Sequence, residues 1–215
     1  MIPSFDIIIP ARFASQRLPG KPLRDICGKP LIQRVYECAC DSSAESVTVA
    51  TDDPGILRVA ESFGANVCLT SVEHSSGTDR VAEAAEILKL DDHRIVVNLQ
   101  GDEPRMPGSL IDQVAETLAA DPTARLATAC RPLEHQEEYG NPDVVKVVRD
   151  QENFALYFSR APIPSSRSTP PMERGGIYWS IIRRHIGLYA YRVDYLKVFL
   201  RQDPAPLERA EKLEQ

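Results

Sequence analysis

Phe5-Asp-Ile-Ile-Ile-Pro10 is a short, nearly continuous run of apolar residues that ends at a proline. Such a run is typical of a strand buried on both faces of a parallel sheet. The segment that follows, from Ala11 to Pro22, is rich in Arg, Pro and Gly and predicts a loop at the carboxyl end of this strand. Ligands of open α/β sheets lie beyond the carboxyl ends of the strands, so this loop is a candidate binding segment.

The same order of strand, loop and helix repeats as far as residue 122. Strands are predicted over residues 46–51, 66–69 and 94–99, and helices over residues 31–39, 54–63, 78–90 and 107–120. Thr78 or the residue before it is the predicted cap of the third helix, and a proline opens the fourth. The repetition predicts an α/β domain with a mostly parallel sheet flanked by helices.

Strands predominate after residue 122. They are predicted over residues 126–130, 144–148, 155–158 and 186–191, with a long surface loop over residues 162–176. The chain stops within an amphipathic helix predicted over residues 207–215, which lacks a C-cap. We therefore predict a single domain over residues 1–215, with an α/β half (1–122) and a smaller, β-rich half (123–215).

Charge is distributed unevenly along the 215 residues, whose formal net charge is −6. Residues 11–34 contain six basic residues and one acidic residue, which gives +5, so the other 191 residues carry −11. The six are Arg12, Arg17, Lys21, Arg24, Lys29 and Arg34. An acidic chain with one basic segment is a poor general binder of nucleic acid or membranes, and it suits a small polyanion bound at one place.

Composition excludes several other classes of protein. With 43% hydrophobic and 26% charged residues, the chain has the composition of a folded domain rather than a disordered one. We find no apolar run near the roughly 20 residues that span a bilayer, and we expect no signal peptide. The cysteines are Cys27, Cys38, Cys40, Cys68 and Cys130, without a C-x-x-C pair. Buried free thiols in a reducing cytoplasm are expected, in preference to a metal or redox site.

The loop after the first strand has the composition of a phosphate-binding segment. Arg12 and Arg17 can bind phosphate oxygens through their planar guanidinium groups, and Lys21 can act as a point charge on a leaving group. Gly20 allows a close approach of the backbone. The spacing is not that of a Walker loop. The alternative is a solvated basic loop without a ligand.

Asn98-Leu-Gln-Gly-Asp-Glu-Pro104 follows another hydrophobic strand directly. A carboxylate at a strand end is a candidate Mg²⁺ ligand, because Mg²⁺ prefers one or two carboxylates with phosphate oxygens and water. Asp102 is the first candidate and Glu103 the second. An acidic turn that caps the next helix is the alternative, and this segment alone does not decide between them.

Three further groups of residues are weaker candidates. Ala50-Thr-Asp-Asp53 ends a strand, and His74-Ser-Ser-Gly-Thr-Asp-Arg80 leads into a helix whose amino end favours anionic or polar ligands. Each is also compatible with ordinary turn and cap chemistry. Arg160 can pair with a substrate carboxylate and His185 can bind sugar hydroxyls, although a single histidine beside a strand is often structural.

Taken together, these segments resemble the CMP-KDO synthetases, the 3-deoxy-manno-octulosonate cytidylyltransferases. The matching segments occur in family order along the whole chain; they are residues 9–23, 50–53, 74–80, 98–104, 157–160, 184–191 and 206–208. The CMP-sialic acid synthetases share the first segment in a looser form. The joint match is therefore specific for the first family.

The resemblance implies a fold and a reaction. The fold is nucleotide-diphospho-sugar transferase-like (Rossmann-like), and the reaction is CTP + KDO → CMP-KDO + pyrophosphate. The family is usually a cytoplasmic homodimer that serves lipopolysaccharide assembly. The resemblance makes residues 1–122 the nucleotide-binding half and residues 123–215 the half for sugar binding and dimerisation. Family members continue past the helix near Leu207 and supply a second metal-binding aspartate there, so we expect this chain to be a shortened version.

The resemblance also implies residue roles. Around the nucleotide it places Ala11, Arg12, Arg17, Lys21, Thr51, Asp52, Ser76, Gly77, Arg80 and Gln100. Around the sugar acid it places Gln100, Arg160, His185, Tyr189 and Glu208. Arg12, Lys21 and Asp102 are the implied catalytic residues, with Mg²⁺ on Asp102. Two alternatives stay open, namely activation of another sugar acid (8-amino-KDO or sialic acid) and a truncated nucleotide-binding protein without catalysis.

Overall fold

The computed structural model describes residues 3–14, 18–74, 76–165, 177–199, 201–203 and 205–213, without the side chains of residues 177 and 178. These residues group into two units, one comprising residues 1–128 and 187–202 and the other residues 129–186 and 203–215. Residues 187–202 thus join the first unit, although they lie in the predicted second half. The predicted division of roles between the halves stays a prediction.

The first 120 residues alternate strands and helices as predicted. In order they form β1 (Phe5–Ala11), a 3-10 turn (Lys21–Leu23), β2 (Asp25–Ile26), β3 (Lys29–Pro30), α1 (Leu31–Cys40), β4 (Ser46–Thr51), α2 (Pro54–Ser62), β5 (Asn66–Leu69), α3 (Gly77–Ile87), β6 (Ile95–Leu99) and α4 (Gly108–Ala120).

The described part of the remaining chain contains four strands and four short helices. The elements are β7 (Leu126–Pro132), α5 (Glu137–Gly140), β8 (Lys146–Arg149), β9 (Ala155–Ser159), α6 (Ile177–Ile181), β10 (Arg183–Arg192), α7 (Val193–Phe199) and α8 (Pro206–Glu211). None of the helices in the described ranges combines the length and apolar character that crossing a membrane requires.

The sheet of the first unit confirms the predicted fold class. Its strands lie in the order β5-β4-β1-β6, all parallel, and the last five residues of β10 pair antiparallel with β6. Ile7, Ile8 and Ile9 are fully buried, as expected for a strand with both faces covered. Ile8 packs in a cluster with residues of α3 and α7, and strand alternation turns Ile7 and Ile9 to the opposite face.

The second unit is smaller and antiparallel. β8 pairs with β9 and with the first two residues of β10. Its apolar cluster contains Leu133, Tyr139, Val144 and Ile182, with Trp179 packed against it. The four strands predicted after residue 122 are present, but four short helices accompany them among the described residues, so strands do not predominate as predicted. Most of the predicted surface loop, residues 166–176, lies outside the described residues.

Two predicted helix ends are wrong. The cap of α3 is Ser76, whose Oγ accepts the Asp79 N–H at 3.0 Å while Asp79 Oδ2 accepts the Ser76 N–H at 3.0 Å. This reciprocal pair satisfies two backbone donors at once, so the cap lies at Ser76 and not at Gly77 or Thr78. The last helix ends at Glu211 with Lys212 in the left-handed conformation at its C-cap (φ 52°), so the expected uncapped helix is also corrected.

The cysteines differ in part from the expectation. All five are free, but only Cys68 is buried, and Cys27 and Cys40 are exposed. Cys27 lies in a hairpin that the sequence did not predict, where Cys27 (φ 53°) and Gly28 (φ 82°) connect β2 to β3. Two consecutive residues with positive φ are typical of a two-residue turn that holds its side chains in solvent.

Candidate active site

The carboxyl ends of β1, β4 and β6 lie at one edge of the sheet in the first unit. Because these strands are parallel and in register, Ala11 pairs with Thr51 and Ile8 pairs with Asn98. The three segments that the sequence singled out, residues 10–23, 50–53 and 98–104, all leave the sheet at this edge. The predicted nucleotide-binding residues of these three segments therefore begin at the same edge of the sheet.

Two glycines show how closely these segments meet. A Cβ atom on Gly101 would lie 2.7 Å from the carbonyl oxygen of Pro10. A Cβ atom on Gly77, at the start of α3, would lie 3.5 Å from Pro10 Cγ and 3.8 Å from Gln100 Oε1. The end of β1, the turn after β6 and the first turn of α3 are thus in direct contact, which brings Gly77 and Gln100 together.

The basic loop delivers a lysine to the predicted metal ligand. Gly20 adopts a left-handed conformation (φ 66°), and its N–H donates to the Phe13 carbonyl at 3.0 Å. The 3-10 turn that follows places Lys21 Nζ in an ion pair with Asp102 Oδ2. Both side chains keep access to solvent, with exposed fractions of 37% and 48%. Arg12 is exposed, and Arg17 lies outside the described residues.

The donor set at Asp102 fits Mg²⁺ bound together with substrate. Within the ranges that the structure describes, no group of three or more His, Cys, Asp or Glu residues could hold a metal ion. Mg²⁺ commonly keeps several waters and uses one or two carboxylates with substrate phosphate oxygens. A solvent-accessible carboxylate beside a predicted phosphate-binding loop suits this mode of binding. The described residues offer no cluster that would hold Mg²⁺ through protein ligands alone.

Asp52 and Arg80, both predicted to lie near the nucleotide, bind one another. Arg80 is only 2% exposed, and its Nη2 lies 2.9 Å from Asp52 Oδ2. Its Nη1 donates to Thr70 Oγ1 and to the Ser71 carbonyl. Thr51 is fully buried, and its carbonyl accepts the Thr70 N–H at 2.9 Å. Arg80 thus connects the ends of β4 and β5 from within the fold.

Two buried polar groups at this edge lack hydrogen-bond partners among the described residues. One is Oδ1 of Asp52. The other is the side-chain amide of Asn98, in which both Oδ1 and Nδ2 lack a partner. Buried polar groups are nearly always satisfied, so each such group needs an explanation. Asn98 is the register partner of Tyr189, a predicted sugar-binding residue whose ring stacks on Tyr191 at 5.9 Å.

In the second unit, Arg160 is held by carbonyl groups. Its Nε donates to the Glu211 carbonyl at 2.7 Å and its Nη1 to the Pro142 carbonyl at 2.9 Å. Its own carbonyl accepts a 2.7 Å hydrogen bond from Nζ of Lys146, which is fully buried. The arginine that the sequence assigned to a substrate carboxylate therefore also binds the C-terminal end of α8.

His185 and Glu208 also lie in the second unit. The His185 ring meets Phe158 edge to face with centroids 4.9 Å apart. Burial lowers the pKa of His185 to about 4, so the ring is neutral at pH 7 and suits hydrogen bonding better than ion pairing. Glu208 Oε2 accepts the Ala205 N–H at 3.2 Å at the start of α8.

Three carboxylates that the sequence did not single out organise these regions. Glu83 lies on α3 beside the loop before it, Glu138 receives Arg131 and Arg184, and Glu211 receives three donors from β9 and the residue after it. Glu83 is detectable in principle, because it lies three residues after Arg80 on the same helix face. The partners of Glu211 are 51 to 54 residues away in sequence, and no local pattern indicates them.

Comparison with known proteins identifies a matching family. The model of the family described as "Cytidylyltransferase" matches residues 7–215. The 3-deoxy-manno-octulosonate cytidylyltransferase of Hahella chejuensis is 51% identical over 213 residues, and that of Thioalkalivibrio sulfidiphilus is 53% identical over 214 residues. Each alignment covers 99% of this chain and 84% of the relative.

Solved structures agree with the sequence relatives. A CMP:2-keto-3-deoxy-manno-octonic acid synthetase complexed with CTP superposes with a TM-score of 0.88 at 40% identity, covering 99% of this chain and 84% of that one. A cytidylyltransferase from Leptospira borgpetersenii gives a TM-score of 0.59 at 18% identity over 96% of this chain and 67% of its own. At that identity the second likeness concerns the fold alone.

Proposed function

Because the chain belongs to the cytidylyltransferase family, we propose that it transfers the cytidylyl group of CTP to KDO and releases pyrophosphate. The observation that carries this proposal is the meeting of Lys21 and Asp102 at the carboxyl edge of the parallel strands. A cation for phosphates and a carboxylate for a divalent ion are the groups that nucleotidyl transfer needs side by side.

The reaction makes and breaks one phosphorus–oxygen bond. The anomeric hydroxyl of KDO attacks the α-phosphorus of CTP, its proton passes to solvent, and the bond to the β-phosphate oxygen breaks. Because the protein has little covalent work to do, positioning and charge neutralisation carry the catalysis. We assign the triphosphate and the departing pyrophosphate to Arg12, Arg17 and Lys21, whose positive charges offset the charge of the leaving group.

The nucleotide is assigned to the other groups at the same edge. Gly77 lies close to Pro10 and Gln100 there, Ala11 pairs with Thr51 in the sheet, and Ser76 lies at the N-cap of α3. The Asp52–Arg80 pair stabilises this edge from the interior of the fold, since Arg80 has almost no exposed surface. Its proposed part in nucleotide binding is therefore to hold Asp52 and the end of β4 in place.

Asp102 is the residue that would hold Mg²⁺. When bound, the ion neutralises charge on the phosphate oxygens and so favours departure of pyrophosphate. Lys21 pairs with the same carboxylate, which keeps that side chain turned towards the phosphate loop. The proposed metal role thus depends on one protein carboxylate among the described residues.

Recognition of the sugar acid is assigned residue by residue from the resemblance. Gln100 and Tyr189 belong to the first unit, and Arg160, His185 and Glu208 belong to the second. The neutral imidazole of His185 suits a sugar hydroxyl, whereas the carboxylate of the acid calls for a cation such as Arg160. A homodimer, a cytoplasmic location and a role in lipopolysaccharide assembly also stay proposals from the resemblance.

A pyrophosphate-release assay tests the proposal. The purified 215-residue chain, supplied with CTP, KDO and Mg²⁺, is expected to release pyrophosphate, and omission of any one component is expected to abolish the signal. Faster turnover with sialic acid or 8-amino-KDO would replace the proposed acceptor. If calorimetry detects CTP binding but no product forms with any metal ion, the chain is a nucleotide-binding protein without catalysis and the proposal is wrong.

A further inference from the structure

The loop between β5 and α3, residues 70–76, ends at the proposed nucleotide site. At its start, the Thr70 N–H donates to the Thr51 carbonyl at 2.9 Å. At its end, Ser76 caps α3, and Gly77 contacts the end of β1 and the turn after β6. The structure describes this loop except for residue 75. Whatever fixes the loop therefore also fixes the groups proposed to receive the nucleotide.

Both backbone polar groups of Ser71 are bound by side chains of α3. Glu83 Oε2 accepts the Ser71 N–H at 2.8 Å, and Arg80 Nη1 donates to the Ser71 carbonyl at 3.3 Å. Arg80 and Glu83 are three residues apart and so are neighbours on one face of the helix. The helix thus holds the loop at a point five residues before its own N-cap.

His74 gives Glu83 a second contact with the loop. His74 Nε2 lies 2.5 Å from Glu83 Oε2, and the two side chains are 19% and 30% exposed. Burial raises the pKa of the Glu83 carboxyl, but hydrogen bonds from Ser71 and His74 outweigh burial and leave the pKa below its usual value. Glu83 is therefore an ionised carboxylate at neutral pH, and it holds the loop two residues before Ser76.

We propose that Glu83 is a positioning residue for the nucleotide: through Ser71 and His74 it sets where Ser76 and Gly77 lie against Pro10 and Gln100. This inference rests on the proposed function. Gly77 packs against the end of β1, since a Cβ there would be in van der Waals contact with Pro10 Cγ at 3.5 Å. A displacement of the loop is expected to alter the surface that Ser76 and Gly77 offer to CTP, whereas Lys21 and Asp102 lie on other segments.

A positioning role and a purely structural role differ in what they change. Loss of a residue that only stabilises the fold lowers the melting temperature and the active fraction, and it leaves the affinity of the folded molecules for CTP unchanged. Loss of a group that positions the nucleotide site weakens CTP binding in the folded protein. It raises KM for CTP while kcat stays nearly constant, because binding to the ground state and to the transition state suffers equally.

The experiment compares Glu83→Ala and Glu83→Gln with wild type and with Glu86→Ala, an exposed glutamate on the same helix. Calorimetry with CTP and Mg²⁺ gives Kd, the pyrophosphate assay gives KM and kcat, and circular dichroism gives Tm. We expect Glu83→Ala to raise Kd and KM for CTP about tenfold with kcat within about twofold of wild type. Glu83→Gln is expected to fall between, because its amide oxygen still accepts from Ser71 but carries no charge towards His74.

The outcomes separate this inference from the proposed function. A graded loss of CTP affinity in the two Glu83 variants, with Glu86→Ala like wild type, supports the inference. Wild-type Kd in folded Glu83→Ala overturns it, and wild-type Kd in Glu83→Gln together with an unfolded Glu83→Ala overturns it as well. A wild-type chain that binds no CTP overturns the proposed function, and the inference with it.

Discussion

At the scale of single residues, the adjacent acids Asp102 and Glu103 are the two candidate Mg²⁺ ligands. Asp102 pairs with Lys21 of the phosphate loop and is the proposed ligand. We expect Asp102→Asn to lower kcat/KM for pyrophosphate release by about 10²- to 10³-fold, because it removes charge that the transition state needs. The matched change Glu103→Gln is expected to stay within about threefold of wild type. Equal losses in the two variants would contradict the assignment of the metal to Asp102.

Gly101 shows how the same turn constrains the backbone. An alanine Cβ would lie 2.7 Å from the Pro10 carbonyl oxygen, so the end of β1 or the turn after β6 must move. We expect Gly101→Ala to lower the free energy of unfolding by about 1–3 kcal/mol in urea titrations. Gly140→Ala is the control, because a Cβ there meets nothing within 4 Å. Equal stability of the two variants would show that this close approach is relieved without cost.

Residue patterns predicted where Asp102 and Gln100 lie, because both follow a strand whose apolar run is visible in the sequence. They could not show that Arg80 turns inward. Its partner Asp52 is 28 positions away, and only the pairing of β4 with β5 brings Thr70 and Asp52 to the same guanidinium. Long-range ion pairs of this kind depend on sheet order, which local spacing does not contain.

At the scale of elements, prediction succeeded where a pattern extends over many residues. The central strand β1 and helices α1, α2 and α4 each bury one coherent set of apolar residues. The β2–β3 hairpin was missed because its strands have two residues each, too few to show alternation. The Ser76 cap was missed because Thr78 also has a hydroxyl, and only the geometry of the chain decides which one receives the Asp79 N–H.

The carboxylate of Glu211 attaches helix α8 to β9 within the second unit. Glu211 accepts from Tyr157 Oη, from Ser159 Oγ and from the Arg160 N–H, each at 2.7 Å. We expect Glu211→Ala to lower the free energy of unfolding by about 1 kcal/mol, allowing for solvent around the site. Hydrogen exchange is expected to quicken at the Arg160 amide. The exposed neighbour Arg209 provides the control, since Arg209→Ala should leave that amide protected; unchanged exchange in Glu211→Ala would contradict the attachment.

At the scale of the whole molecule, the basic segment divides into two parts. Lys29 Nζ lies 2.6 Å from Glu37 Oε1, and the Arg34 guanidinium binds the carbonyls of Ile26 and Cys27. These cations hold α1 and the β2–β3 hairpin in place. The charge proposed for the triphosphate is therefore smaller than the +5 of residues 11–34 suggests, and the sequence could not separate the two parts because their partners become neighbours only on folding.

Two of the groups that contribute to acid stability, His185 and Glu138, titrate in different ranges. Burial lowers the pKa of His185 from 6.5 to about 4. Burial raises the pKa of Glu138, but hydrogen bonds from the Glu134 N–H, Arg184 and Arg131 outweigh it and lower the pKa from 4.5 to about 2. Between its two pKa values, each group is protonated in the unfolded chain and deprotonated in the folded chain. The free energy of unfolding therefore decreases as the pH decreases through that range. The range is 6.5 to 4 for His185 and 4.5 to 2 for Glu138.

Substitution separates these two contributions. We expect the free energy of unfolding of His185→Gln to fall less steeply than that of wild type between pH 6.5 and 4, by a total of about 3 kcal/mol, and to run nearly parallel to it below pH 4. Glu138→Gln is expected to run parallel to wild type above pH 4.5 and to fall less steeply below. Urea titrations at half-unit pH steps measure both curves. A His185→Gln curve parallel to wild type from pH 7 to 4 would contradict this prediction. It would show that the imidazole takes up its proton as readily in the folded protein as in the unfolded chain.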